Sequence, residues 1–305
     1  MKNNEEEMPI SKKPRSLGDK VFDTAVYIIL FLVVLIVLYP LYFVLIASVS
    51  DPLSVIAGDV IYKPINFNLE SYRLVFKDSR VLLGYKNTIC YTLAGTTLNI
   101  VMSILAAYPL SRRNIKGQKI GLAMMLITMF FTGGMIPTYI VINKLKLLDT
   151  FWVMILPNAL SVYNVMIMRT FFTTSIPYEL EEAAYVDGAT QARTLVSIVL
   201  PLSKPILAVM VLYYAVSHWN SYFNALLYLS DQNRYPLQLV LREILIQSQS
   251  SMESFADVGN TYNRMLQSET MKYALILVAS VPVLILYPFL QKYFVQGVMI
   301  GSVKG

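Results

Sequence analysis

The chain has 305 residues, 56% of them apolar and only 14% charged, with a mean hydropathy of +0.54. Soluble domains average about 45–50% apolar and about 25% charged, so the composition excludes an ordinary soluble globule and describes a polytopic membrane protein. The net charge of +6 scatters over many loops without forming a basic stripe, which argues against a nucleic-acid partner and for a role in membrane orientation.

Residues 1–20 are charged and proline-containing, with Glu5-Glu6-Glu7 followed by Lys12-Lys13, and are expected to form a mobile cytoplasmic arm. Residues 21–305 are read as one all-α transmembrane domain. Six spans are expected at about 24–47, 86–110, 120–142, 151–172, 205–229 and 271–293, each near the ~20 apolar residues that ~30 Å of hydrocarbon requires. The first runs from Thr24 to Ala47 without a charge. It is longer than the ~7–15 residues of a signal-peptide core and lacks a small-residue cleavage site, so a retained helix is expected.

Lys12, Lys13, Arg15 and Lys20 before the first span, and Arg112, Arg113, Lys116 and Lys119 after the second, place those segments inside by the positive-inside rule. Six crossings then put both termini inside and the loops at 48–85, 143–150 and 230–270 outside. Lys63, Arg73, Lys77, Arg80 and Lys86 break the rule in the first outer loop. That loop also carries Leu69, Tyr72, Val75 and Phe76 at helical spacing, a face suited to the membrane surface or to a partner. Gly133-Gly134 and Pro137, Pro157, and Pro282 with Pro288 interrupt the third, fourth and sixth spans, where freed carbonyls need internal partners. The first span is expected to pack peripherally on a unit formed by the other five.

Between the fourth and fifth spans lies a polar loop, 173–204. Pro177 suits a helix start, and Glu179, Glu181 and Glu182 suit the positive end of its dipole. Gly188 supplies a left-handed stop and Thr190 a cap for the next helix, whose Leu195, Ile198 and Val199 would pack beneath the spans.

This loop, with Glu182-Ala183-Ala184, Asp187-Gly188-Ala189, Ile198, Leu200-Pro201 and Pro205, resembles the EAA loop of bacterial ABC importer permeases. Gln291-Lys292-Tyr293-Phe294, Gly297, Gly301 and Val303-Lys304-Gly305 resemble the tail of MalG-type subunits of maltose and related oligosaccharide importers. The Gly133–Pro137 run and residues 147–172 look closer to the LplC/YtcP-like branch, associated with complex or acidic oligosaccharides. The resemblance covers about residues 20–305.

It implies a type I ABC importer permease: six transmembrane helices with a cytoplasmic coupling helix, in a bacterial cytoplasmic (inner) membrane. Glu182, Ala183, Ala184, Asp187, Gly188 and Ala189 would meet an ATPase dimer, and Gly297, Gly301 and Lys304 would carry the 294–305 tail toward it. A MalF-like second permease subunit and an extracytoplasmic solute-binding protein are the other implied partners, the latter meeting the 230–270 loop. The chain holds no G-x-x-x-x-G-K-[ST] phosphate loop, so ATP and Mg are expected on the separate ATPase subunits and no cofactor on this chain. A catalytic role is not expected.

For the solute path, Tyr213, Ser217, Asn220 and Asn224 are spaced for one helical face, with His218, Trp219 and Tyr222 beside them. Thr96 and Asn99, and Asn158, Ser161, Tyr163 and Asn164, add polar groups from other spans. Interhelical hydrogen bonding is the rival role, favoured for Thr96 and Asn99. One cysteine, Cys90, and one histidine, His218, exclude a disulfide and a histidine metal cluster; His218 is read as a packing or hydrogen-bonding group. A membrane-embedded enzyme lacks converging titratable groups. A secondary carrier lacks intramembrane acids. A permease for peptides remains the alternative within the importer class.

Overall fold

The computed structural model describes residues 16–112, 115–253, 271–286 and 288, with 247–253 as backbone only. The tail residues Gly297, Gly301 and Lys304, and most of the expected N-terminal arm, lie outside these. Among the described residues every regular element is a helix, with no strand.

Helix α1, Leu17–Ser48, opens with a capping box in which Ser16 accepts from Asp19 N and Asp19 accepts from Ser16 N. None of its most apolar 18-residue window is buried; only Ile46, Ala47 and Ser48 at its end are. Lipid is the natural cover for such a face. Short helices α2 (Pro52–Ile56) and α3 (Glu70–Lys77) follow. In α3 Val75 is fully buried, and the adjacent Tyr72 hydroxyl lies 2.9 Å from the Ser48 hydroxyl. The expected amphipathic face therefore packs on its own chain; Leu69 and Phe76 alone stay exposed.

Helix α4, Ser79–Ser111, is the second continuous helix long and apolar enough to cross a membrane. The third expected span is instead two helices, α5 (Gln118–Phe130) and α6 (Met135–Lys144), bent by 112° at the Gly133-Gly134 break. Pro137 falls in the first turn of α6, where a missing N–H breaks no intrahelical bond. The fourth begins as 3-10 turns at Phe151–Met154 and Leu156–Asn158, then bends by 51° into α7, Val162–Thr174.

The polar loop folds into α8 (Glu179–Val186) and α9 (Gln191–Thr194), a π-helical turn at Leu195–Val199, and α10 (Leu200–Leu202). Helix α11, Lys204–Trp219, then ends short of the expected span, and α12, Phe223–Tyr228, is a separate piece. Helix α13, Leu237–Glu253, occupies much of the expected polar outer loop and buries Leu237, Leu239, Val240 and Ile244. That part is core rather than a free loop; residues 254–270 lie outside the described set. Apolar helix α14, Met271–Leu286, contains Pro282.

Three apolar clusters make the core, and α4 feeds all of them. Ala107 and Tyr108 join Met168, Phe172 and Met210; Val81 joins Trp219, Leu237 and Leu275; Tyr91 joins Met154, Tyr228 and Leu239. Close packing of α4 on α11 depends on Gly95, because a Cβ there would sit 2.4 Å from His218 Cε1 and Nε2. That ring cannot swing aside freely, since Nε2 is 2.6 Å from Asn99 Oδ1. Gly95→Ala is therefore expected to lower stability by about 1–3 kcal/mol, the usual range for overpacking. A thermal-unfolding scan in detergent measures this, and an unshifted midpoint would show that the α4–α11 contact can give way.

Candidate functional site

Two polar features interrupt the apolar bundle, a cavity among the spans and a face built by α8. The cavity, of about 460 Å³, gathers Asn99 of α4, Asn158 and Ser161 at the break before α7, Asn164 of α7, Ser217 and His218 of α11, and Asn220 and Asn224 beyond it. Tyr222 and Phe223 add aromatic surface, their rings edge to face with centroids 6.3 Å apart. No carboxylate lines it among the described residues.

The break after α11 creates this arrangement. Ser217, Asn220 and Asn224 do not share one helical face as their spacing implies: Asn220 caps α11 and Asn224 belongs to α12. The turn between them brings all three to the same cavity. Tyr213 and Trp219 do not line it. Trp219 is buried in the second core cluster, where its indole N–H donates to the Ala279 carbonyl at 3.0 Å and its ring meets Tyr85 edge-on. Tyr163 is exposed and likewise outside the cavity.

Asn99 ties the wall together. Its Nδ2 donates to the Asn158 carbonyl at 2.5 Å, a backbone group next to Pro157, while Oδ1 faces His218 Nε2. One turn further along α4, the Ser103 and Tyr214 hydroxyls are 2.6 Å apart. Asn99 thus serves both roles considered for it, interhelical bonding and cavity wall. Asn99→Ala removes both bonds and is expected to destabilise by about 1–2 kcal/mol, the upper range for interhelical hydrogen bonds in membranes. Thermal unfolding against Thr97→Ala, an exposed position bonded only within its own helix, is the measurement.

At the other feature, Asp187 ends α8 and Gly188 takes φ +76°, a left-handed value that glycine adopts without strain. The Thr190 side chain then accepts from Arg193 N and caps α9, as its position implies. Val199 is fully buried, and Leu195 packs beside it on the first core cluster. Glu182, Ala183, Asp187 and Gly188 are exposed and Ala189 is half-buried. Ala184 is buried against its own chain, so it is not available to another protein. Tyr185 and Val186, unremarked in the sequence reading, are 81% and 84% exposed and form the apolar crest of the helix.

Glu181 points the opposite way. Its Oε1 lies 2.5 Å from Arg112 Nη2, with the side chains only 11% and 9% exposed. Arg112 Nε has no hydrogen-bond partner of its own. Burial pushes the Glu181 carboxyl above the ordinary carboxylate range, and the facing Arg112 pulls against that shift. Arg112 also lies 4.7 Å above the Tyr108 ring. Sequence reasoning gave the three glutamates of α8 one shared role. The available signal was that Glu181 and Ala184 sit three apart, on the same inward face.

Among the described residues, helices broken around a polar cavity, with an exposed helix α8 besides, form the architecture of a membrane transport protein. The chain belongs to the family of binding-protein-dependent transport system inner membrane components, whose model matches residues 96–300. It is 38% identical over 289 residues to the polygalacturonan/rhamnogalacturonan transport system permease protein YtcP of Bacillus subtilis, covering 95% of this chain and 100% of that one. It is 39% identical to protein LplC of the same organism over 94% and 96% of the two chains. A chain from the crystal structure of a bacterial ABC transporter that imports the acidic polysaccharide alginate superposes with a TM-score of 0.84 at 31% identity, over 92% and 99% of the chains. The protein is thus an ABC importer permease of the inner membrane, and ATP hydrolysis belongs to a separate subunit. Permeases of this kind work with a partner permease, an ATPase and a solute-binding protein.

Proposed function

We propose that this chain is one of two dissimilar permease subunits of an importer for acidic oligosaccharides. The observation that carries the reading is the carboxylate-free cavity. Asn158, Asn164, Asn220 and Asn224 offer amide donors and acceptors, and Ser161 and Ser217 offer hydroxyls, the groups that match sugar hydroxyls and carboxylates. Tyr222 and Phe223 supply faces for the apolar side of a sugar ring. A wall free of acids does not repel an anionic sugar. The relatives named for polygalacturonan/rhamnogalacturonan and for alginate support the acidic class.

In this reading both termini are cytoplasmic, and the exposed side of α8 docks in the ATPase dimer through Glu182, Ala183, Asp187, Gly188 and Ala189, with Tyr185 and Val186 at the crest. Gly297, Gly301 and Lys304 carry the tail toward the same subunits, which hold ATP and Mg. A MalF-like subunit completes the path, and the solute-binding protein delivers sugar from outside. ATP-driven closure pushes α8, the spans open outward to receive sugar, and hydrolysis resets them inward.

The complex, reconstituted in lipid with its ATPase, partner permease and binding protein, is expected to hydrolyse ATP several-fold faster with acidic oligosaccharides than with neutral ones or peptides. Stimulation by peptides alone would replace the substrate class; stimulation by nothing would remove the reading. Gly188→Pro is expected to insert normally yet lose at least about ten-fold in transport, because proline holds φ near −65° and cannot make the turn. The substitution also removes the Gly188 N–H that donates to the Tyr185 carbonyl at 3.0 Å. Transport by this variant at the wild-type rate would count against α8 as the coupling element.

A further inference from the structure

Helix α8 is joined through short chain segments to α7 on one side and to α9, α10 and α11 on the other, but not to α4. Yet α4 carries the Asn99 wall of the cavity and packs along α11. Something other than chain continuity must keep α4 in step if α8 moves. The other ion pairs described, Glu70–Arg73, Asp78–Arg80 and Asp231–Arg234, are local; Arg112–Glu181 joins distant parts of the chain.

We propose that the buried Arg112–Glu181 ion pair is a positioning strut that carries displacement of α8 into α4, and along α4 to the cavity. The proposal rests on the reading that α8 receives the ATPase. Three observations support it. Arg112 follows directly on the last residue of α4, and Glu181 lies in the first turn of α8, so the pair spans the gap between the two elements. Helix α4 is continuous from Asn99 to Ser111, a rise of about 20 Å to Arg112, with Pro109 in its last turn braced by the Arg169 and Gln118 side chains on the neighbouring Leu110 carbonyl. Ser103–Tyr214 and Asn99–His218 then tie α4 to α11 beside the cavity.

The geometry of the pair also suits movement. A fork through Nε and Nη2 would hold one angle; a contact through Nη2 that leaves Nε without a partner tolerates rotation while keeping the ends together. A cavity of about 630 Å³ beside the pair, lined by Tyr108, Tyr178, Tyr185 and Thr194, leaves room for that rotation. The Arg169 side chain donates to the Leu110 carbonyl at 2.7 Å and Gln118 Nε2 to the same oxygen at 2.6 Å, so the end of α4 stays anchored as it is pushed.

The test measures sugar transported per ATP hydrolysed by the whole reconstituted complex, with subunit stoichiometry after purification as the control for assembly. Arg112→Gln and Glu181→Gln are each expected to assemble and to lower that ratio at least about five-fold. Arg112→Lys, which keeps the charge, is expected to stay within about two-fold of wild type. The exchanged double variant, Arg112→Glu with Glu181→Arg, is expected to recover at least half of what the single variants lose. An unchanged ratio in both single variants overturns the strut. So does failure of the exchanged pair to recover, which would mean that the residues act separately. Loss of assembly in every variant including Arg112→Lys overturns it too, making the pair a folding element. A wild-type complex with no solute-stimulated hydrolysis removes the reading of α8 and the strut with it, an outcome distinct from the others.

Discussion

Inside the spans a polar side chain has no water to fall back on, and the pairing of α4 with α11 answers that constraint. Asn99, Ser103, His218 and Tyr214 find one another across the two helices, and Gly95 removes the side chain that would hold the helices apart. The register of α11 against α4 follows from these contacts. So does the position of the break before α7, because Asn99 also takes the Asn158 carbonyl that lies beside Pro157. The cavity is what remains where the breaks before α7 and after α11 meet this pair. Its polar groups are left over from a bonding pattern that satisfies their neighbours first.

Much of this was legible in the amino acids. Membrane-length apolar runs announced α1 and α4, and the Gly133-Gly134 pair announced the break between α5 and α6. Gly188 and Thr190 marked the turn between α8 and α9, since one position needs a left-handed backbone and the other a side-chain acceptor. The end of α11 was harder. Asn220 to Asn224 contains no proline or glycine, and helical spacing continues across it, so nothing local signals the stop. The structure ends the helix there, with Trp219 buried and bonded to Ala279. That long-range contact cannot be read from spacing, and it also withdrew Trp219 from the cavity. Helix α13 was hidden for a related reason: its polar residues dominate the composition, while Leu237, Val240 and Ile244 form a narrow buried stripe. Glu181 was visible as an acid in a first turn, but its partner Arg112 lies far away in sequence and reads there as an orientation signal.

The two polar features divide the labour by charge. Among the described residues the polar lining of the cavity is amides, hydroxyls and one imidazole. At α8, by contrast, Glu182 and Asp187 are exposed and Glu181 turns in toward Arg112. On the proposed reading, weak contacts suit a path from which the solute must leave, and charged contacts suit a joint that holds through a change of shape.

The rise of α1 from Lys20 to Tyr39 is about 28 Å, close to the ~30 Å depth of the hydrocarbon layer. Tyr39 and Tyr42 sit where aromatic residues mark the boundary of that layer, and the Tyr42 hydroxyl donates to the Tyr62 carbonyl at 2.7 Å. Within the last turn of α1 the burial changes: Ile46, Ala47 and Ser48 are buried, and the Ser50 hydroxyl that follows donates to the Ile46 carbonyl at 2.6 Å. The burial pattern of a single helix thus separates a long face left for other cover from one last turn that its own chain covers.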